Sequence, residues 1–335
     1  KRNDKDAFII GYDTGYFLNC AISTKIPKYK PNLDLQIYGD VRDKNKIDCY
    51  LDGVDHVIHL AAISNDPMGK DFEKATIDIN QFSSLYLARK CIELKINSFT
   101  FASSCSVYGA GSDKPRTELD LTNPLTAYAR SKIGTEEGLQ NLRNFGDTKI
   151  TCLRFSTACG YSPNFRLDLV LNDFVATALT TNSIKILSDG TPWRPLIDVE
   201  DMARALYWSC LRDKGELLEI INIGSSEWNY QIKELAQATK NELGDKIIID
   251  INTNAAPDKR SYRVSFEKYY SLAPSNFTPQ ITLSESIKKI YNGLINFSEE
   301  ISLDRSYLIR LNVLRDHLLT KELDENLFWV NSFKS

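Results

Sequence analysis

Two apolar runs constrain the fold of this chain more than any other feature of its sequence. The first covers residues 54–62 (VDHVIHLAA) and is nearly continuous, and the second covers residues 97–102 (NSFTFA). Strands that are apolar on both faces are typical of parallel sheets, in which helices cover each side. We therefore predict an α/β protein in which the first run is a central strand buried on both faces and the second run is another buried strand.

A group of polar residues that suits acid–base chemistry follows the second run. Ser103 and Ser104 lie at its carboxyl end, the edge at which open α/β sheets bind ligands. Tyr128 and Lys132 have the i, i+4 spacing that places two side chains on one face of a helix. Because a neighbouring cation favours the phenolate, we predict that Lys132 lowers the pKa of Tyr128 and that Ser104 bonds the same substrate oxygen.

The spacing of Tyr128 and Lys132 is a weak signal alone, since Tyr86 and Lys90 share it in an ordinary amphipathic segment. The context is more specific: an apolar strand, then SS-x-x-VYG at residues 103–109, then Tyr-x-x-x-Lys. This combination resembles the extended short-chain dehydrogenase/reductase family, which includes NAD-dependent nucleotide-sugar epimerases and dehydratases. The resemblance implies a Rossmann-like doubly wound parallel sheet with a smaller α/β substrate-binding domain.

The resemblance also implies roles for particular residues. Ser104, Tyr128 and Lys132 would be catalytic, and Ser104 would also contact the substrate. Arg194 and Arg260 match two arginine motifs of the family and would hold the diphosphate of a nucleotide sugar, since guanidinium groups suit phosphate oxygens. The implied chemistry is oxidation and reduction at a sugar carbon during carbohydrate biosynthesis, with NAD as the cofactor.

The cofactor would bind along the carboxyl edge of the sheet. Asp13 follows a short apolar segment at residues 7–12, and the resemblance places it on the adenosine ribose. No glycine-rich GxGxxG or GxxGxxG turn occurs near the start, so we expect residue 1 to be an interior position of a longer protein. The other implied cofactor contacts are Asp40, Val41, Leu60, Ala61, Ala62, Tyr128 and Lys132.

The chain divides into three predicted portions. Residues 1–159 would form the dinucleotide-binding portion without its first βα unit, and residues 160–285 the substrate-binding portion. A strand predicted at residues 220–224 returns to the main sheet, so these two portions should interleave. Residues 286–335 are a predicted helical extension beyond the usual family core. The sequence leaves open whether this extension packs on the substrate-binding portion, seals a dimer or binds a partner.

Predicted helices near residues 72–94 and 127–145 resemble the pair through which family members dimerise, so we expect a homodimer. The resemblance also implies that Asn80, on the first of these helices, helps to order the active-site helix and the neighbouring loop.

Composition argues against several other classes of protein. A net charge of −3 gives no electrostatic attraction to nucleic acid or anionic membranes. The seven cysteines are scattered without disulfide or metal-ligand spacing, which favours reduced thiols in a cytoplasmic protein with no metal. We interpret His59 as a core histidine. No apolar stretch approaches the ~18 residues needed to span a bilayer.

The residues after Ser104 distinguish between reactions. The 4,6-dehydratases of the family carry an acidic pair there, whereas this chain has Cys105 and Ser106, neither of which is a comparable acid at neutral pH. We therefore favour an epimerase, or a reductase or dehydrogenase acting at a sugar carbon, over a nucleotide-sugar 4,6-dehydratase.

Two further hypotheses are a non-catalytic relative that binds nucleotide or a partner protein, and an ordinary short-chain alcohol dehydrogenase. The intact catalytic residues argue against the first, and the long segment after residue 160 argues against the second.

Overall fold

The structure is a computed structural model that describes residues 1, 3–18, 22, 32–110, 114–142, 144–255 and 260–330. Its strands are β1 (Ile10–Asp13), β2 (Leu35–Tyr38), β3 (His56–His59), β4 (Ser98–Ser104), β5 (Lys149–Phe155), β6 (Thr157–Cys159), β7 (Ser183–Ile186), β8 (Trp193–Asp198), β9 (Leu218–Ile223), β10 (Asn229–Gln231) and β11 (Ile248–Ile251). Its helices are α1 (Lys44–Asp48), α2 (Asp66–Asp71), α3 (Glu73–Ile77), α4 (Ser83–Glu93), α5 (Ala127–Gln140), α6 (Val170–Thr181), α7 (Val199–Leu211), α8 (Ile232–Leu243), α9 (Glu267–Leu272), α10 (Leu283–Leu294), α11 (Ser298–Leu303) and α12 (Arg310–Leu319).

The main sheet consists of parallel strands in the order β3, β4, β5, β9. Alternate residues of β5 face opposite sides of it. Ile150 and Cys152 pack with α4 and α5, whereas Leu153 and Phe155 pack with α7 and α9. Helices therefore cover both faces of a parallel sheet, which confirms the predicted α/β class. The strand predicted at residues 220–224 does return to this sheet, as β9.

The position of β3 differs from the prediction. We expected residues 54–62 to form a central strand buried on both faces, but within the described part of the chain β3 pairs only with β4. Ile58 is 42% exposed and Leu60 is 55% exposed. The strands β1 and β2 form a separate parallel pair. The prediction was wrong for β3 because side chains are buried only where helices or loops cover the face of the sheet, and among the described residues the face that carries Ile58 and Leu60 is left partly open.

The helix predicted at residues 72–94 is interrupted. A π-helical turn at Asp78–Phe82 separates α3 from α4, and the helix predicted at 127–145 ends at Gln140 as α5. Immediately before α3, α2 begins after Asn65, whose side chain accepts a hydrogen bond from the backbone N–H of Met68. These short helices bring α2 against α5 and so over the carboxyl edge of β4.

Residues 160–285, the predicted substrate-binding portion, have their own core and join the C-terminal extension. The strands β10, β8 and β6 form one sheet, β7 pairs with β11, and α6, α8 and α10 pack around a shared apolar cluster. In the extension, α11 packs on α6 and α12 packs on α2. The extension therefore contacts both portions of the chain. No helix among the described residues is long and apolar enough to cross a bilayer.

Candidate active site

The structure brings Ser104, Tyr128 and Lys132 together at the carboxyl end of β4. Ser104 is the last residue of this strand and precedes a 3-10 turn at Cys105–Tyr108. Tyr128 lies in the first turn of α5, which begins after Thr126; the Thr126 hydroxyl accepts a hydrogen bond from the backbone N–H of Ala129 at 3.1 Å. The hydroxyl of Ser104 lies close enough to the Tyr128 phenol to lower its pKa. The three predicted catalytic residues thus form one cluster.

Lys132 is buried behind Tyr128 on the same helix. Its side chain is only 3% exposed, and Nζ donates a hydrogen bond to the carbonyl of Ala102 at 2.7 Å. The ammonium lies 5.6 Å from the centre of the Tyr128 ring and 4.7 Å from that of Phe101. Burial lowers the pKa of Lys132 to about 7, against an opposing effect of Glu136.

The predicted effect of Lys132 on Tyr128 was wrong. Burial raises the pKa of Tyr128 above its usual value, and the opposing effects come from the nearby Ser104 hydroxyl and the charge of Arg166. The physical reason is that removing the phenol from water destabilises the phenolate more than these two contacts stabilise it. The cation that acts on the phenol here is Arg166, and Lys132 is engaged with the Ala102 carbonyl.

Arg166 belongs to a polar cluster that the sequence analysis missed. Its Nε and Nη2 donate to the carboxylate of Asp168 at 3.1 and 2.7 Å, and its Nη1 donates to the hydroxyl of Ser64 at 3.1 Å. The amide of Asn65 donates to the same carboxylate at 2.5 Å. The cluster links the loop before α2 to the loop before α6. A signal was present, because the charges at 166 and 168 alternate with apolar residues, a period of two that indicates an extended segment.

The two predicted diphosphate-binding arginines both lie in the neighbourhood of Tyr262. Both lower the pKa of one phenol, Tyr262, although burial raises that pKa overall. Arg194 lies on β8, and Arg260 Nη1 donates to Asp66 at 2.6 Å. The other oxygen of Asp66 accepts a hydrogen bond from the hydroxyl of Thr126 at 2.6 Å. Arg260 therefore lies next to the start of the helix that carries Tyr128.

The predicted cofactor contacts lie at the carboxyl ends of three strands. Asp13 ends β1, and its side chain accepts a hydrogen bond from the backbone N–H of Gly15 at 2.6 Å. Asp40 follows β2 and is paired with Arg42, whose Nη2 lies 2.6 Å from its carboxylate; this pairing was not predicted. Val41, next to Asp40, is partly buried.

The end of β3 offers an apolar surface. Leu60 is exposed there, and Ala61 and Ala62 are partly exposed. An open apolar strand end with small residues fits a flat dinucleotide ring system, and the acidic residues at the ends of β1 and β2 suit ribose hydroxyls.

Buried polar groups hold this site in place. The side chain of Asn80 accepts a hydrogen bond from the Ile63 N–H at 2.8 Å and donates to the Ser131 hydroxyl at 3.0 Å. This bridge confirms the prediction that Asn80 orders the active-site helix and loop. His59 is a core residue, as predicted, and is hydrogen-bonded to the Ser84 hydroxyl. In the part of the chain that the structure describes, no group of His, Cys, Asp and Glu side chains is arranged to hold a metal ion.

A parallel sheet with helices on both faces and polar side chains gathered at its carboxyl edge is typical of dinucleotide-binding enzymes. A profile described as "NAD dependent epimerase/dehydratase family" matches residues 21–224, and the chain belongs to this family. It is thus an NAD-dependent enzyme of the extended short-chain dehydrogenase/reductase type, which confirms the resemblance seen in its motifs.

Similar proteins include nucleotide-sugar epimerases. The chain is 26% identical over 236 residues to a UDP-glucuronate 4-epimerase of Thermodesulfobacterium geofontis, a match that covers 70% of this chain and 71% of that protein. It is 30% identical over 250 residues to the uncharacterized UDP-glucose epimerase YtcB of Bacillus subtilis, covering 73% and 74%. The fold is similar to that of UDP-glucuronic acid 4-epimerase from Bacillus cereus in complex with UDP-glucuronic acid and NAD, with a TM-score of 0.71, 22% identity, and 88% and 93% of the two chains covered.

Proposed function

We propose that this protein is an NAD-dependent nucleotide-sugar epimerase that uses Ser104, Tyr128 and Lys132. The observation that carries the proposal is the cluster of Ser104 and Tyr128 at the carboxyl end of β4, with Lys132 buried beside them. When bound, NAD supplies reversible oxidation of a sugar carbon. A reductase or dehydrogenase acting at a sugar carbon would use the same three residues.

In this proposal Tyr128 moves the proton of the sugar hydroxyl. The phenolate of Tyr128 accepts this proton as the carbinol is oxidised, and the phenol returns it when the carbonyl is reduced. Ser104 bonds the same oxygen and orients it. Lys132 contacts the nicotinamide ribose, and Arg166 favours the phenolate through its charge.

The proposed cofactor contacts follow the edge of the sheet. Asp13 binds the adenosine ribose, because a carboxylate at the end of this strand accepts hydrogen bonds from both ribose hydroxyls. Asp40 and Val41 contact the adenine. The remaining contacts are Leu60, Ala61, Ala62, Tyr128 and Lys132.

The proposed substrate is a nucleotide sugar whose diphosphate is bound by Arg194 and Arg260. Both guanidinium groups lie near Tyr262, beside the start of α5. The YtcB and T. geofontis relatives are named as UDP-sugar epimerases, which supports this substrate class. A diphosphate in this position would share Arg260 with Asp66.

A 4,6-dehydratase is the second candidate, and the residues after Ser104 argue against it. The Cys105 thiol is buried and donates to the carbonyl of Arg154 at 3.0 Å, and burial raises the pKa of this thiol. The neighbouring hydroxyl of Ser106 is not an acid at neutral pH. Neither group suits the additional proton transfers that elimination of water requires.

We further propose that the protein is a cytoplasmic homodimer. The surface formed by α4 and α5 carries Phe82 beside its first turn, with a side chain that is 58% exposed. The described cysteines are free thiols, which suits a reducing compartment. Sedimentation of the purified protein would test the oligomeric state.

The catalytic assignment is tested by a matched pair of tyrosine variants. Tyr128→Phe should reduce kcat by about 10² to 10⁴, the usual contribution of a positioned acid–base group. Tyr86→Phe is the control, because Tyr86 has the same spacing to a lysine but bonds Asp48 on the protein surface. The measurement is turnover of a panel of sugar nucleotides, with products identified by NMR. Equal losses in both variants would contradict the assignment, and loss of the six-position oxygen in the product would favour the dehydratase.

A further inference from the structure

The C-terminal extension runs from one binding region of the protein to the other. Near its start, the carbonyl of Leu308 accepts a hydrogen bond from the backbone N–H of Leu167, between the paired residues Arg166 and Asp168. Helix α12 then packs on α2, where Arg315 forms an ion pair with Asp71. The residues after α12 reach the loops that follow β1 and β2.

The loop after β1 is attached to the extension at several points. The indole Nε1 of Trp329 donates to the carbonyl of Thr14 at 2.8 Å, and the Tyr16 hydroxyl donates to the carbonyl of Leu327. His317 Nε2 donates to the carbonyl of Tyr16 at 2.9 Å. The rings of Tyr16 and Trp329 lie 5.8 Å apart, and Tyr16 is only 4% exposed. This loop begins directly after Asp13.

The turn after β2 is attached to the same stretch of the extension. Arg42 donates from Nη1 to the carbonyl of Asn326 at 2.6 Å and from Nη2 to that of Leu327 at 3.0 Å. Its guanidinium also lies 3.5 Å from the centre of the Phe328 ring. Through Nε and Nη2 the same side chain holds the carboxylate of Asp40. Asp40 is therefore oriented by an arginine that is itself fixed by the extension.

These contacts converge on a single backbone position. The Leu327 carbonyl accepts hydrogen bonds from both Tyr16 and Arg42, so one carbonyl connects the loop after Asp13 to the turn that contains Asp40. A ligand that binds to loops already held in one conformation has less conformational entropy to lose, and so binds more tightly. Loosening the extension should therefore weaken the binding of a ligand that contacts both loops.

We propose that residues 310–330 are part of the adenosine end of the cofactor site and that they act by holding the loops after β1 and β2. The inference rests on the proposed binding of the cofactor at Asp13 and Asp40. Residues of the extension act here as positioning residues. They set the affinity for the adenosine half of the cofactor and leave the sugar-nucleotide site unchanged.

The test compares two tryptophan substitutions and two ligands. Trp329→Phe keeps an aromatic ring but removes the donor to Thr14, and Trp208→Phe makes the same change in the buried core at α7, away from these loops. ADP-ribose probes the adenosine end, and UDP-glucose probes the sugar-nucleotide site, with both dissociation constants measured by titration calorimetry. We expect Trp329→Phe to raise the dissociation constant of ADP-ribose by about 5- to 10-fold, the size expected for one lost hydrogen bond. UDP-glucose binding should be unchanged in both variants, and Trp208→Phe should leave ADP-ribose binding at the wild-type value.

An Asp13→Ala variant separates failure of the inference from failure of the cofactor placement. If Asp13→Ala weakens the binding of ADP-ribose and Trp329→Phe does not, the proposed role of the extension is wrong, and the proposed contact of Asp13 with the cofactor is retained. If neither variant weakens it, the placement is wrong and the inference falls with it. Equal weakening of ADP-ribose and UDP-glucose by Trp329→Phe would indicate general loosening of the fold and would also overturn the proposal.

Discussion

Tyr128 lies between two cations that differ in what they can do for it. Lys132 is directed to the Ala102 carbonyl, whereas the charge of Arg166 acts on the phenol. Arg166 is also held by Asp168 and Ser64, so its position is fixed by both loops over the site. The side chain that favours the phenolate is therefore supplied by the substrate-binding portion of the chain, and the phenol by the dinucleotide-binding portion.

Replacing Arg166 should change the pH dependence of the reaction. The charge of Arg166 lowers the pKa of Tyr128 against the effect of burial, so Arg166→Gln should raise that pKa further. In the direction that requires phenolate, the rise of kcat/KM with pH should shift to higher pH. The control is Arg130→Gln, an exposed arginine on the same helix that pairs with Glu73. A profile that shifts equally in both variants, or in neither, would contradict the role of Arg166.

Lys132 should also make the stability of the folded protein depend on pH. Burial lowers the pKa of Lys132 from 10.5 to about 7. Between these two values the unfolded chain binds more of this proton than the folded chain, so the contribution of Lys132 to stability rises with pH. Below pH 7 Lys132 is charged in both the folded and the unfolded protein. The folded protein then bears the full free-energy cost of burying this charge.

The comparison with Lys132→Met isolates this effect. The unfolding free energy of the wild type minus that of the variant should increase between pH 7 and 10, with a slope of up to about 1.4 kcal/mol per pH unit. Denaturant titrations at several pH values measure it, and Lys70→Met, at an exposed position on α2, is the control. A difference that falls with pH would show that Lys132 is charged and well compensated in the folded protein.

At the scale of elements, a buried ion pair joins α5 to β5. Glu136 accepts hydrogen bonds from Arg154 Nε at 3.0 Å and Nη2 at 2.6 Å, and from the Ser103 hydroxyl at 2.5 Å. The Arg154 Nη1 donates to the Tyr108 hydroxyl at 2.9 Å. The pair fixes the helix of Tyr128 against the strand next to β4, so it determines the geometry between Tyr128 and Ser104.

Breaking this pair should destabilise the protein strongly. Glu136→Gln leaves Arg154 charged and buried, which typically costs about 3 to 5 kcal/mol when one partner of a buried pair is removed. Glu73→Gln breaks an ion pair of α5 at the surface and should change stability by less than about 1 kcal/mol. Chemical unfolding of both variants gives the comparison. Similar losses of unfolding free energy in the two variants would mean that the buried ion pair contributes no more to stability than a surface ion pair.

The sequence predicted elements well where a local pattern decides the outcome. The strands β4 and β9 and a helix near residue 127 were predicted from local patterns, and the cluster of Ser104, Tyr128 and Lys132 follows from their spacing along these elements. Burial of β3 could not be predicted in this way, because it depends on which segments cover the faces of the sheet and not on the residues of β3. Arg166 was missed for a related reason, since its contacts with Ser64 and Tyr128 join segments that are distant along the chain.

At the scale of the whole molecule, one arginine connects the two binding portions. Arg260 pairs with Asp66 at the start of α2, and Arg194 lies nearby on β8. If both bind a diphosphate, the loss of either should weaken the substrate by about 1.5 to 3 kcal/mol, as expected for a charge-assisted contact. The diphosphate is remote from the reacting carbon, so the change should appear in KM and not in kcat.

The matched control for this prediction is Arg315→Ala. Arg315 also pairs with an aspartate of α2, Asp71, at the same 2.6 Å distance but outside the proposed diphosphate site. Steady-state kinetics with a UDP-sugar should show a raised KM for Arg194→Ala and Arg260→Ala only, with NAD affinity unchanged in these two variants. An unchanged KM in both site variants would contradict the sugar-nucleotide hypothesis.

The attachment of Trp329 to Thr14 has a consequence for how the protein is made. The two residues are 315 positions apart, and at common rates of synthesis the ribosome needs roughly 15 to 60 s to cover that distance. The free-energy cost of closing so long a loop grows only with the logarithm of its length. The long separation therefore delays the formation of this contact more than it weakens it. Until residue 329 has left the ribosome, the loop after β1 lacks its partner. The segment around Thr14 must therefore wait, without this hydrogen bond, while the 315 positions up to Trp329 are synthesised.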